Sequence, residues 1–359
     1  MEHFSCQTRI LAGNGILPAL GEFHPRRLFL VTDPFFAKNG WAERVIQASG
    51  AEHWEIFDQV VPDPSVTLAA AGAARVREFQ PDLMVALGGG SAMDCAKAMN
   101  YFGTNCPLAA IPTTSGSGSE VTDFAILTHE GVKHPLVDPK LRPVMALLDG
   151  DLLTQLPRSL IADSGFDVLS HALEACGGTN GGSFSDALAR ESFRMAFQNL
   201  SKSFAGDVSV RLTVHKAAAM AGLAFTQAGL GLCHALSHAL GGAFHVPHGR
   251  LNAILLPAVL MCNAPAAPEK YAALARSAGF AAASDTMAIR NLKNGLVRLR
   301  RELQLPETLA QAGVDLRQLR QQEQQIITAA LEDPCCKTNP VKVEPHMVRE
   351  ILTEVSGRG

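Results

Sequence analysis

Short apolar runs alternate with helix-patterned stretches over the first half of the chain, and this alternation constrains the fold more than any other feature. Four runs have the length and composition of buried strands, at 27–33, 53–57, 82–87 and 108–112. Segments with helical patterning, such as 65–79 and 91–102, lie between them, and further strand-like runs follow at 124–128 and 144–149. Strands that alternate with helices form a parallel, doubly wound sheet. We therefore predict an α/β domain over residues 1–157.

The pattern changes after residue 157, where long helical stretches rich in alanine and leucine replace the strands. Residues 184–200, 292–303 and 315–331 each place apolar side chains at helical spacing. Pro306 stops the second of these stretches, and Asp315 is a plausible N-cap for the third. We predict an all-helical domain over residues 158–359.

Composition excludes several classes of function. The 359 residues suffice for two domains, with 47% hydrophobic and 18% charged residues and a formal net charge of -3. No long basic run is present, which argues against nucleic acid or an anionic membrane as a partner. The chain contains no run of eighteen apolar residues, which argues against a membrane span. The N-terminal segment lacks the apolar core of a signal peptide. Eight scattered cysteines without a CxxC pair favour reduced thiols in the cytoplasm.

Two glycine-rich loops follow predicted strands. The segment GGGSAMDCAK at 88–97 opens a helix, and glycines there allow a ligand to approach the backbone and the positive end of the helix. Alone, such a turn could be only a tight connection. PTTSGSGSE at 112–120 follows the next strand, however, and ligands of parallel sheets bind beyond the carboxyl ends of the strands. Two loops at the same edge predict a dinucleotide site.

Asp33 ends an early strand at Asp33-Pro34. A carboxylate at this position could accept hydrogen bonds from an adenosine ribose and would repel a 2′-phosphate, which favours NAD over NADP. The competing interpretation is an aspartate that only forms the turn before proline.

Histidines cluster in the second half of the chain. Asp167 and His171 are four residues apart on one helical face, and His234 and His238 repeat that spacing within an apolar stretch, with His245 and His248 shortly after. Buried imidazoles need partners. Imidazole and carboxylate ligands suit zinc or divalent iron, and an expandable shell that also accepts a substrate oxygen favours iron.

Several motifs resemble those of the iron-containing (group III) alcohol dehydrogenases, over nearly the whole chain. These are GGGSAMDCAK at 88–97, PTTSGSGSEVT at 112–122, GFDVLSHALEA at 165–175, GLGLCHALSHALGG at 229–242, PHGRLNAILLP at 247–257 and TNP at 338–340. The resemblance implies the fold shared with dehydroquinate synthase: a Rossmann-like domain, a helical domain and an active site in the cleft between them. It also implies dimers or larger homo-oligomers.

Position by position, the resemblance implies that Asp167, His171, His234 and His248 bind the metal and that His238 lies beside nicotinamide and substrate. Asp33 matches the position associated with NAD preference. The positions that line the dinucleotide match Gly89, Gly90, Ser91, Asp94, Thr113, Thr114 and Lys133.

Within the family, the segments 4–15, 227–242 and 243–249 look most like bacterial propanol and ethanol dehydrogenases of diol, ethanolamine or choline breakdown. Cys176 departs from the aromatic residue that many relatives have there, which leaves the shape of the pocket open. Whether the protein enters a bacterial microcompartment also stays open.

The expected reaction is reversible hydride transfer between nicotinamide and a short-chain primary alcohol or aldehyde, such as propanal or acetaldehyde, assisted by Fe(2+) or Zn(2+). His238, or His245 in its place, could relay the alcohol proton. One alternative is a glycerol-type polyol dehydrogenase or a dehydroquinate-synthase-like lyase. The segments 165–176 and 229–248 lack Arg and Lys, however, which favours a small uncharged substrate. Another alternative is a catalytically silent scaffold subunit, although all four ligand positions are intact.

Overall fold

The computed structural model describes residues 4–130 and 132–357. The chain divides into two compact units, an α/β unit over Ser5–Leu156 and a helical unit that begins at Pro157. Phe4 belongs to the helical unit, where its ring stacks on Phe184 with 5.5 Å between centroids.

The α/β unit consists of alternating strands and helices. Its strands are β1 (Arg9–Gly13), β2 (Arg27–Thr32), β3 (His53–Phe57), β4 (Leu83–Gly88), β5 (Leu108–Pro112), β6 (Phe124–His129), β7 (Val132–Val137) and β8 (Met145–Asp149). Its α-helices are α1 (Pro34–Lys38), α2 (Trp41–Ser49), α3 (Val66–Phe79) and α4 (Gly90–Phe102).

Six strands form one parallel sheet in the order β1-β8-β5-β4-β2-β3. This sheet and the helical second unit confirm the predicted fold class. The strand order reverses between β2 and β4, because β3 lies on one side of β2 while β4 and β5 continue on the other. Open parallel sheets bind ligands at such a switch point, beyond the carboxyl ends of the strands.

Side chains of the central strands alternate between two buried cores. Leu28 and Leu30 of β2 point into a core that includes α2, whereas Phe29 and Val31 point into the core beneath α3 and α4. Because both faces are covered, β2 and β4 read in the sequence as continuous apolar runs rather than as alternating ones.

Two strands were absent from the sequence prediction. β1 lies at the edge of the sheet, beside β8, and is only partly buried. β7 pairs antiparallel with β6 in a separate hairpin, so the strand-like run at 124–128 does not extend the main sheet.

The helical unit contains no strand among its described residues. Its α-helices are α5 (Arg158–Gly177), α6 (Ser183–Ala205), α7 (Arg211–Ala228), α8 (Leu232–Phe244), α9 (His248–Asn263), α10 (Pro268–Ser277), α11 (Asp285–Glu302), α12 (Leu316–Glu332) and α13 (Pro345–Val355). The stretches predicted at 184–200, 292–303 and 315–331 lie in α6, α11 and α12, and Asp315 caps α12 by accepting a hydrogen bond from the Arg317 amide.

No single helix in the described part of the chain is long and apolar enough to cross a membrane. By length and composition alone, Val208–Ala228 and Leu232–Phe244 would pass that test together, as a pair bent by 104°.

Three helices of this unit position the metal-binding candidates. α9 begins directly against α5: a Cβ added to Gly249 would lie 1.9 Å from the backbone oxygen of Asp163. Only glycine permits this approach. As a result, His248, the first residue of α9, lies beside the face of α5 that carries Asp167.

Candidate metal centre and cofactor loops

The four predicted ligands lie together around one carboxylate oxygen. Asp167 and His171 are one turn apart on α5, His234 lies on α8 and His248 begins α9. The Nε2 atoms of His171, His234 and His248 are 3.8, 3.7 and 3.5 Å from Asp167 Oδ1. The rings of His171 and His234 stack with 4.5 Å between centroids.

These distances fit a shared cation better than direct hydrogen bonding. Metal–nitrogen bonds of about 2.1 Å place tetrahedral ligand atoms roughly 3.4 Å apart. His234 Nε2 is buried and has no hydrogen-bond partner among the described residues. Because an unpaired buried nitrogen is costly, a cation at this position would satisfy it. Asp and His donors suit divalent iron or zinc, so the residues present fit the predicted metal.

The charges around the centre also favour a cation. Burial alone would raise the pKa of Asp167, but the three surrounding imidazoles outweigh burial and hold this pKa well below its usual range. Burial would lower the pKa of His234, yet the Asp167 and Glu174 carboxylates raise it to about 9. Without a metal, protons on the imidazoles balance the buried carboxylates, and a divalent ion can take the place of these protons.

Two buried residues that the sequence analysis missed support the ligands. Glu174, one turn beyond His171 on α5, lies 2.6 Å from His234 Nδ1 and accepts hydrogen bonds from the Gly231 and Cys233 amides. Asn252 Nδ2 donates to Asp167 Oδ1 at 2.8 Å. A carboxylate on the remote nitrogen of a ligating histidine fixes its tautomer and orientation.

The spacing of residues within GFDVLSHALEA indicates that Glu174 lies beside the proposed ligands. Asp167, His171 and Glu174 are at positions i, i+4 and i+7, so all three lie on one face of α5.

His238 lies next to the proposed metal centre but is not one of the residues grouped around Asp167 Oδ1. Its ring stacks on that of His248 with 5.2 Å between centroids, and its Nδ1 is 2.8 Å from Asp333 Oδ2. His245 is the other residue that the sequence offers as a proton relay. It is exposed and follows the last residue of α8 in a left-handed conformation, with its amide bonded to the Gly241 oxygen. The geometry therefore favours His238 over His245 as the residue beside the centre.

The predicted dinucleotide loops meet at the switch point of the sheet. Gly88 has φ 151°, and a Cβ added there would lie 2.6 Å from Ala92 Cβ and 3.7 Å from Asp33 Oδ2. Cβ atoms on Gly89 and Gly90 would meet Thr114 and Ser117 of the second loop. Asp33, the Gly88–Gly90 turn and the threonine-rich loop are thus close neighbours.

The remaining cofactor candidates take different positions. Ser91 is half-buried in the first turn of α4, and Thr113 is buried with its amide bonded to the Gly88 oxygen. Asp94 accepts a hydrogen bond from Ser119 Oγ at 2.7 Å, and burial raises its pKa. Lys133 lies on β7 and forms an ion pair with Asp63 at 2.7 Å.

Asp33 has two roles at once. Its Oδ1 accepts hydrogen bonds from the Phe35 and Phe36 amides and so caps α1, as the turn interpretation expects. Its other oxygen faces Gly88. The two interpretations of Asp33 are therefore compatible.

A buried lysine that the sequence analysis left unassigned ties the two loops together. Lys97 of α4 donates to Ser119 Oγ, Thr122 Oγ1 and the Phe124 oxygen at 2.8 to 3.0 Å. Burial lowers the pKa of Lys97 to about 8. Three hydrogen bonds compensate for its burial and hold the second loop against α4.

Comparison with known proteins identifies the family. Residues 7–150 match the family "Iron-containing alcohol dehydrogenase" and residues 161–356 match "Fe-containing alcohol dehydrogenase family, C-terminal". The chain is 38% identical over 369 residues to the 1-propanol dehydrogenase PduQ of Salmonella typhimurium, covering 99% of this chain and 100% of that protein.

Solved structures show the same similarity. An iron-containing alcohol dehydrogenase of Thermococcus thioreducens superposes with a TM-score of 0.90 at 31% identity, covering 98% of this chain and 99% of the other. A sulfoacetaldehyde reductase of Bifidobacterium kashiwanohense in complex with NAD+ gives 0.89 at 26% identity, covering 100% of both chains.

The chain belongs to the iron-containing alcohol dehydrogenases, which confirms the resemblance carried by its motifs. It is an oxidoreductase that interconverts alcohols and aldehydes.

Proposed function

We propose that this protein catalyses reversible, NAD-dependent hydride transfer between short-chain primary alcohols and aldehydes, such as 1-propanol and propanal or ethanol and acetaldehyde. Divalent iron is the proposed ion, with Asp167, His171, His234 and His248 as its ligands. The observation that carries the proposal is the convergence of three imidazole nitrogens on one buried carboxylate oxygen. When bound, the ion supplies a Lewis acid that stabilises an alkoxide or polarises an aldehyde carbonyl.

The charges near the centre support a small uncharged substrate. Asp167 alone among the proposed ligands carries a negative charge, so a divalent ion leaves these ligands near +1, which favours an alkoxide. Arg250, close in sequence to His248, is held by two hydrogen bonds to Asp163. It is therefore committed to a structural ion pair, and a polyanionic substrate of the lyase kind gains no support from it.

NAD is the proposed dinucleotide, bound at the switch point of the α/β unit. The Gly88–Gly90 turn and the first amides of α4 suit a pyrophosphate, because they combine free N–H groups with the positive end of a helix. The Asp33 oxygen next to Gly88 can accept from a ribose hydroxyl and would repel a 2′-phosphate. The other proposed contacts are Ser91, Asp94, Thr113, Thr114 and Lys133. The complex of the related sulfoacetaldehyde reductase with NAD+ supports this choice.

His238 is the proposed proton relay. If its Nδ1 carries the proton shared with Asp333, the lone pair of Nε2 is free to receive the proton of an alcohol. The side chain is 27% exposed, which gives the proton a route to water.

The proposed setting is the cytoplasm, with the enzyme as a homodimer or larger homo-oligomer. All eight cysteines are free thiols, in keeping with a reducing compartment.

Anaerobic reconstitution tests the proposal. Protein loaded with Fe(2+) should oxidise NADH when given C2–C4 aldehydes, and His234→Ala should lose this activity together with the ion. His245→Ala is the matched control, because His245 is exposed and outside the ligand group. A metal-loaded protein that reduces no short aldehyde, or a fully active His234→Ala variant, would overturn the proposal. Loading with Zn(2+) instead, and adding glycerol and 1,2-diols to the panel, tests the metal and the polyol alternative.

A further inference from the structure

A second group of metal-ligating side chains lies in the helical unit. His238 belongs to α8, Asp333 follows α12 directly, and Cys335 belongs to the short 3-10 helix Pro334–Thr338. One ligand atom from each of the three residues lies within 4.8 Å of the others. Asp333 holds this arrangement together, because one oxygen lies 2.8 Å from His238 Nδ1 and the other accepts the Cys335 amide at 2.8 Å.

We propose that His238, Asp333 and Cys335 form a second divalent-cation site, separate from the Asp167 centre, with zinc as the preferred occupant. The donor set is one thiol, one imidazole and one carboxylate. Thiolate ligands favour zinc over magnesium and calcium, which prefer oxygen. Three protein ligands with a fourth position open to water is a common arrangement for zinc.

Charge complementarity supports this occupant. With the thiol deprotonated, Cys335 and Asp333 contribute two negative charges, which balance one divalent ion. The Asp167 group differs in kind, since its four proposed ligands include no sulfur. The two sites should therefore give different spectra with the same ion.

Binding at this site replaces protons. Burial raises the pKa of the Cys335 thiol well above its usual range, and the nearby Asp333 carboxylate raises it further. A divalent ion would displace the thiol proton and the proton that His238 shares with Asp333. Ions can reach the site from solvent, because the His238 side chain is 27% exposed and that of Asp333 is 14% exposed.

Occupation should inhibit the enzyme. A cation on His238 would withdraw the residue that we propose as the proton relay, so zinc should slow aldehyde reduction. This consequence depends on the proposed function, whereas the existence of the site does not.

Cobalt titration tests the site directly. Co(2+) is added to the iron-loaded holoenzyme, and thiolate-to-cobalt charge-transfer absorption is recorded. The wild type should develop this absorption and Cys335→Ser should not. Cys336→Ser is the matched control, because Cys336 is the next residue but bonds through Sγ to the Ala330 oxygen and lies outside the three-residue group. It should behave as the wild type does.

Zinc affinity gives a second, independent measurement. Equilibrium dialysis of the holoenzyme should show one zinc ion beyond the catalytic metal. Loss of a supporting residue costs about 10–100-fold in metal affinity, so loss of a ligand in Cys335→Ser should cost at least about 100-fold. Unchanged absorption or affinity in Cys335→Ser, or equal loss in Cys336→Ser, would overturn the proposal. Neither measurement depends on catalysis. A protein that binds zinc at this site but has no enzymatic activity would therefore refute the proposed function and leave the second site standing.

Discussion

Replacing Glu174 with glutamine should weaken metal binding although Glu174 is not a proposed ligand. The carboxylate is buried and faces three donors: the Gly231 amide at 3.0 Å, the Cys233 amide at 2.6 Å and His234 Nδ1 at 2.6 Å. Donation from Nδ1 leaves the Nε2 lone pair of His234 facing Asp167. Glu174 thus selects the tautomer that can bind a cation.

Glutamine cannot satisfy the same three donors. If its oxygen takes the Oε2 position, its NH2 group faces the Cys233 amide, and one buried donor loses its acceptor. If the oxygen takes the other position, the NH2 group faces His234 Nδ1 and favours the tautomer whose proton blocks the cation. Metal binding requires the first orientation, which leaves the Cys233 amide unpaired. A buried unsatisfied donor costs about 1–3 kcal/mol, and each 1.4 kcal/mol is about tenfold in affinity. Metal affinity should therefore fall about 10–100-fold.

Chelator competition under anaerobic conditions measures this change, with thermal unfolding of the metal-free and metal-loaded forms beside it. Glu191→Gln is the control, because it removes the same charge from the same unit at the exposed pair with Arg194. An affinity in Glu174→Gln within twofold of the wild type, or an equal loss in Glu191→Gln, would refute the reasoning. His234→Ala should lose the ion in the same assay.

Three further changes have defined outcomes in the α/β unit. Asp33→Ser keeps a capping oxygen for α1 but removes the charge, so the preference for NADH over NADPH, measured as the ratio of kcat/KM values, should fall at least about tenfold. Gly88→Ala adds a Cβ 2.6 Å from Ala92 at φ 151°, so the unfolding temperature and the NADH affinity should both fall, with a loss of about 2 kcal/mol or more. Burial raises the pKa of Glu120 from 4.5 to about 7, so its neutral form stabilises the fold at low pH and stability falls as pH rises through that window. Relative to Glu120→Gln, the wild type should lose up to about 3 kcal/mol between pH 5 and pH 8 in denaturant titrations.

The interior of the sheet could be predicted from the sequence, and its margins could not. β2 and β4 are buried on both faces, so burial requires the continuous apolar runs from which they were predicted. β1 is partly exposed at the edge of the sheet. β7 contains Pro135 and is mostly exposed, so neither an apolar run nor strict alternation marks it.

The candidate metal residues were predictable for a different reason. Asp167 and His171 share a helical turn, so their spacing alone places them together. His234 and His248 approach them only through the packing of α8 and α9 on α5, and resemblance rather than spacing supplied that link. The supporting contacts depend wholly on the tertiary fold: Asn252 is 85 residues from Asp167, and Asp333 is 95 residues from His238.

Glu174 lies between these two cases and shows which signal in the sequence was available. It is a charged residue in an Ala- and Leu-rich stretch, on the same face of α5 as two proposed ligands. A buried carboxylate needs partners, and neither Arg nor Lys occurs in 165–176 to provide one. Its partners must then come from another element, and only groups that donate hydrogen bonds qualify. The position of Glu174 on the ligand-bearing face of α5 therefore marked it as a candidate for the centre, whereas its contact with His234 depends on the packing of α8 on α5.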